Sequence, residues 1–172
     1  MRESRAKHIQ YWHHQSMPVR YFLQSDLEDL DEMIDEVRAQ IRRVKQDAQE
    51  GTEQSSESWH DNYVFEEAQR QLKMLLNHLG GLSNARENAE LVTPDETSRV
   101  VAVGKRVKLR MNGSADEIYI GSYMVGRRLR EFDYVSYEAP LAAGILGATV
   151  SERRTVEIGG RHVEIEILEV GN

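Results

Sequence analysis

Two apolar stripes at heptad spacing, separated by a polar stretch, constrain this chain more than any other feature. Leu27, Leu30, Ile34, Val37, Ile41, Val44 and Ala48 recur at steps of three and four, as do Phe65, Ala68, Leu72, Leu75, Leu79 and Leu82. That spacing gathers apolar side chains along one side of a helix. Gln49 to His60, between the stripes, is nearly without large apolar residues. Two stripes with a short polar connection read as an antiparallel coiled-coil hairpin, each helix burying its stripe on the other. A finger of two helices has little room for a substrate pocket. It suits the placing of a small tip far from the body of a protein.

Local signals mark the ends of both helices. Ser25-Asp26-Leu27-Glu28 fits a capping box that opens the first, and neither Gly nor Pro interrupts it before Gly51. Asp26 to Glu36 holds seven acids and no base, whereas Arg38 to Lys45 holds four bases and no acid. This split matches the helix dipole. Arg38, Arg42, Arg43 and Lys45 therefore read either as a solvated, dipole-matched face or as a contact for nucleic acid. The second helix is expected from near Ser58, with Asp61 in the Glu role of another box, to about Leu82, weakening at Gly80-Gly81.

Beyond Arg99 the period changes from helical to alternating. Val100 to Lys108 alternates partly, Glu117 to Ile120 is β-like, and Val156 to Val170 alternates clearly. In the last stretch Val163, Ile165, Ile167 and Glu169 are expected on one face. Asn112-Gly113 and Gly159-Gly160 sit between apolar runs, as hairpin turns do. Pro140 to Leu146 reads as one short helix. The expected fold is therefore α+β: an extension over residues 1–20 containing His13 and His14, a coiled-coil hairpin over 21–92 with its tip near 51–62, and a small antiparallel β-domain with one helix over 93–172.

Composition narrows the function classes. There is no cysteine, so disulfides and thiol chemistry are excluded, and a zinc site would need His and carboxylates alone. The start lacks a signal peptide's apolar core, and no run of about 18 apolar residues occurs. A cytoplasmic protein without a membrane segment is expected. The formal charge of -7 argues against a protein that coats DNA. No Walker loop, dinucleotide fingerprint, HExxH pair or nucleophile elbow is present, so a freestanding enzyme is not expected.

Several stretches, in order, resemble the Gre transcript-cleavage factors of bacterial RNA polymerase. Met17-Pro18-Val19-Arg20 is similar to the family's short run before the first helix. Trp59-His60-Asp61-Asn62 stands at the place of its tip motif, and Leu82-Ser83-Asn84-Ala85 matches the run that ends the second helix. Tyr134-Val135-Ser136, Ala139-Pro140-Leu141-Ala142 and Ile145-Leu146-Gly147 look like its β-domain signature. Gly159-Gly160 and Ile165 to Val170 match the closing hairpin. The resemblance covers roughly residues 17–170. It departs at Ala148, where the family often carries Lys, and at Arg127, Arg128 and Arg130, a stretch usually less basic.

The resemblance implies an FKBP-like β-domain that docks at the rim of the polymerase secondary channel, with the signature around Ala139, Pro140 and Leu141 meeting the polymerase. The coiled coil would enter the channel as a monomer and approach the 3′ end of the nascent RNA. Tip acids would help hold the second magnesium of the polymerase active site, and the polymerase would hydrolyse backtracked RNA. The factor would bind no metal stably by itself and have no cofactor of its own. An isomerase activity does not follow from such a fold.

Family members competent in cleavage carry two tip acids. Asp61 matches the second, before Asn62; Ser58 stands at the first, with Glu57 one residue earlier. Asp61 and Glu57 are thus the candidate assisting acids, and Ser58, Trp59 and Asn62 the candidate tip contacts. Simple capping of the second helix by Ser58 and Asp61 is the competing role. Trp59 either stacks on a partner or folds back to close the hairpin. Three functions remain: a cleavage-stimulating factor, a regulator that occupies the same channel without chemistry, and an interaction module unrelated to transcription.

Overall fold

The computed structural model describes residues 18–54, 61–124 and 133–171, with side chains outside 51–54 and 61–64. Helix α1 spans Gln24–Gln54 and α2 spans Asp61–Glu87. They run in opposite directions, so that Arg86 near the end of α2 pairs with Asp31 near the start of α1 at 2.7 Å. The first stripe packs as its spacing predicts: Leu30, Ile34, Val37 and Ile41 are buried, with Leu82 and Ala85 facing them. Packing is graded along the finger. Leu82 at the base is 3% exposed, Leu72, Leu75 and Leu79 are partly buried, and Phe65 is 50% exposed.

Three expectations about the helices change. Ser25 is not the cap of α1, because the helix begins at Gln24 and the Leu23 carbonyl accepts from the Asp26 and Leu27 amides. Glu28 accepts from Gln24 instead of reaching back to Ser25. Nor does α2 weaken at Gly80-Gly81; it continues to Glu87. Leu79, Leu82 and Ala85 hold this segment against α1, and that packing outweighs the low propensity of two glycines. Finally, α1 reaches Gln54, which shortens the connection read from Gln49 to His60.

Two short strands tie the finger to the body. β1 (Arg20–Phe22) pairs in parallel with β2 (Ala89–Leu91), so both ends of the hairpin are gathered at one place. Phe22, fully buried, closes the base of the coiled-coil core, while the next residue, Leu23, enters the core of the β-domain. Successive residues of an extended chain point to opposite sides, and the chain uses this to stitch two cores together. The β-domain supplies Ser122, whose hydroxyl accepts from the Leu23 amide at 2.8 Å and donates to the Asp26 carboxylate at 2.5 Å. The Tyr134 hydroxyl donates to the same oxygen at 2.7 Å.

The remaining strands form one sheet: β3 (Arg106–Met111), β4 (Ser114–Gly121), β5 (Asp133–Ser136), β6 (Arg153–Ile158) and β7 (Arg161–Gly171), in the order β5-β4-β3-β7-β6. It is antiparallel except at its edge, where β5 runs parallel to β4. Asn112 and Gly113 both have positive φ, as do Gly159 and Gly160, so both expected hairpin turns form. The expected alternation of β7 breaks once. Leu168 is an extra residue opposite the Lys108–Leu109 step, so Glu169 is exposed and Val170 takes the buried face. Val107, Leu109, Ile118, Ile120, Ile165 and Ile167 build the core, and α3 (Pro140–Ile145) covers it with Ala142 and Ile145. Ala148 belongs to that core, where a lysine would not be solvated.

Gly80 and Gly81 have negative φ, and a Cβ at either would meet nothing. Gly80→Ala and Gly81→Ala should therefore each stabilise the protein by about 0.5–1 kcal/mol, read from denaturant midpoints. Loss of stability in either variant would contradict an uninterrupted α2.

Candidate functional site

The finger presents its candidates at three levels. At the far end, Asp61 and Asn62 open α2. Its side chain and that of Asn62, and all of Glu57, Ser58 and Trp59, lie outside the described residues.

Along α1, Arg38, Arg42 and Lys45 are spaced by four and three residues and so share one strip about 10 Å long. Arg43 projects roughly 100° away from Arg42. All four are exposed. Arg38 is engaged by Asp35 at 3.3 Å, one turn towards the acidic start of the helix. Among the described residues no ion pair reaches Arg42, Arg43 or Lys45. The strip lies beyond the tightly packed base, alongside the less buried part of α2, and offers up to three cations to an anionic partner.

In the body, Ala139, Pro140 and Leu141 form the start of α3. Pro140 is exposed, whereas Ala139 and Leu141 are partly buried. The short helix is fastened from behind. Arg154 donates to the Leu146 carbonyl at 2.9 Å and to the Gly144 carbonyl at 3.3 Å, satisfying groups that the end of a helix leaves free. Glu152 aligns that guanidinium at 2.8 Å and also accepts from the Thr149 amide at 2.9 Å. The Thr149 amide, then Arg154, hold the Glu152 carboxyl below its ordinary range. This clamp has no simple sequence signature, because it joins the end of α3 to a strand register.

A shallow cleft opens between the hairpin base and the body, bordered by Arg20, His78, Asn84, Tyr123 and Glu138. Arg20 lies over the Tyr123 ring at 4.3 Å, so its charge is already engaged by a π-face. Elsewhere the outer face of the sheet is laced by ion pairs, including Arg106–Glu117 at 3.1 Å and Arg110–Glu166 at 2.6 Å. Among the described residues no group of His, Asp and Glu could hold a metal, and no helix is long and apolar enough to cross a membrane. Arg127, Arg128 and Arg130 lie outside the described residues.

No family model matches the sequence, and no curated protein matches it. Several solved structures align with it over most of its length. GreA factor homolog 1 (Gfh1) of Thermus thermophilus is 16% identical, over 90% of this chain and 100% of that one, with a TM-score of 0.42. Thermus aquaticus Gfh1 is also 16% identical, over 91% and 100%, with a TM-score of 0.42. The elongation factor GreA/GreB from Nitrosomonas europaea is 17% identical, over 91% and 100%, with a TM-score of 0.33. The chain itself is a two-helix finger on a small β-sheet body.

Arg42→Ala and Lys45→Ala should change stability by less than about 0.5 kcal/mol, because both side chains are exposed, whereas Leu82→Ala should cost roughly 2–5 kcal/mol. Equal losses by chemical denaturation would contradict the placement of the basic strip. The Glu152 clamp should be intact above the ordinary carboxylate range and lost as pH falls through its depressed folded value, since the unfolded chain binds that proton first. An NMR titration should show the Thr149 amide shifting at a pH below that of free glutamates; a midpoint at or above the ordinary value would contradict the clamp.

Proposed function

We propose that this chain is a Gre-type transcription factor. Its finger enters the secondary channel of a bacterial RNA polymerase and stimulates the cleavage of backtracked RNA. The observation that carries this reading is Asp61, followed by Asn62, as the first residue of the second helix of a long two-helix finger on a β-sheet body. The order of sequence motifs from Met17 to Val170 supports it. In this reading the body docks through the start of α3, the basic strip of α1 faces nucleic acid, and Asp61, with Glu57, assists at the tip. Hard divalent cations take oxygen ligands, and an extra carboxylate stabilises a loosely held magnesium that activates water. The polymerase supplies the active site; this chain supplies a ligand and its placement, working as a monomer.

Ser58 favours a second reading, because it stands where the cleavage factors carry an acid. The finger then occupies the same channel and modulates the polymerase without chemistry. Stalled, backtracked complexes of the cognate polymerase separate the two. The first reading expects shortened RNA with the parent chain, a loss of at least about tenfold with Asp61→Ala, in line with removal of a transition-state charge stabiliser, and a smaller loss with Glu57→Ala. Tight polymerase binding with no RNA shortening overturns it in favour of the second. Absence of polymerase binding overturns both.

A further inference from the structure

The geometry points to Asp26, Ser122 and Tyr134 as positioning residues that set the direction in which the finger leaves the body. Asp26 sits in the first turn of α1 and is 2% exposed. Both of its hydroxyl partners come from the β-domain: Ser122 directly follows β4, and Tyr134 lies in β5. Ser122 does two jobs with one oxygen, because it also accepts from the Leu23 amide. The carboxylate on the finger and the backbone at the foot of the finger are thus held by the same side chain of the body.

The hydrophobic effect is non-directional, so burial of apolar area does not by itself select one direction. Hydrogen bonds are directional and weaken steeply when misaligned. The rest of the joint fixes the strap between the two cores. The Tyr123 amide donates to the Tyr21 carbonyl at 3.0 Å, and the Tyr21 amide to the Tyr137 hydroxyl at 3.2 Å. Tyr134 is itself seated: its ring stacks on Tyr119 at 4.8 Å and lies where a Cβ on Gly121 would be. Its hydroxyl therefore approaches Asp26 from one direction only.

Leverage makes this placement matter. At about 1.5 Å per residue, α1 reaches roughly 46 Å from the joint. A rotation of about 10° at the joint displaces the far end by about 8 Å, more than the reach of a carboxylate to a metal. The consequence for a polymerase rests on the function proposed above; the orientation itself does not.

The test uses the full chain free in solution, which separates it from any polymerase assay. The sequence has no cysteine, so Asp47→Cys on α1 and Thr155→Cys on β6, both exposed, accept a pair of spin labels cleanly. Distances are measured by pulsed electron–electron resonance in the labelled parent and with Tyr134→Phe or Ser122→Ala added. Tyr134→Phe keeps the seated ring and removes only the hydroxyl. A single narrow distribution is expected in the parent. In each variant it should broaden about twofold or shift by up to about 6 Å, the full displacement of residue 47 for a 10° rotation at 1.5 Å per residue. Parent-like centre and width in both variants, at a temperature where their circular dichroism shows them folded, would overturn the proposal whatever their loss of thermal stability.

Discussion

Phe22 and Leu23 are neighbours in the chain and members of different cores, and the rest of the molecule depends on that division. Phe22 closes the coiled coil; Leu23 belongs to the sheet. The peptide between them carries an amide that must be satisfied where water is excluded, and Ser122 satisfies it. The same hydroxyl partners Asp26. Removing one partner of a buried polar group costs about 1–3 kcal/mol, more when the group is charged, so this small network is a sizeable part of a domain's net stability. Asp26 also sits where the positive end of the α1 dipole favours a carboxylate.

From that foot outward, the structure loosens in an ordered way. Along α2 the seam is buried at Leu82, partly buried at Leu79, Leu75 and Leu72, and half exposed at Phe65. A two-helix finger has only one interface to bury, so its stability comes from that seam and from its root. Packing demands least towards the far end of the finger. The basic strip and the first residue of α2 occupy the outer part, whereas the sheet, with its buried aliphatic face and ion-paired outer face, serves as the mount.

The hairpin was legible in the sequence because its signal is periodic and local. Thirteen stripe positions repeat one spacing, and the two Gly-containing turns announce β-hairpins by the same local logic. Ser25 and Glu28 form the sequence pattern of a capping box, yet tertiary contacts through Leu23 and Ser122 decide where the helix starts. The face that Glu169 takes is not legible in the sequence, because a bulge depends on the partner strand and no residue type marks it. β1 and β2 have three residues each, too short for any periodicity. Asp26 looked like one more acid of an acidic helix start, since its partners lie 96 and 108 residues away. For the candidate site, the sequence placed Asp61 and the bases on their helices, whereas the clamp behind α3 appears only once β6 is in register.

The measurement that tests the account most directly is where the tip goes. With no native cysteine, Ser58→Cys accepts a tethered iron chelate that cuts whatever lies within reach. Bound to the cognate polymerase, the labelled chain should cut the large subunits around the catalytic magnesium, whether the finger assists chemistry or only occupies the channel. Cuts confined to the outer surface of the polymerase, with the chain demonstrably bound, would contradict it.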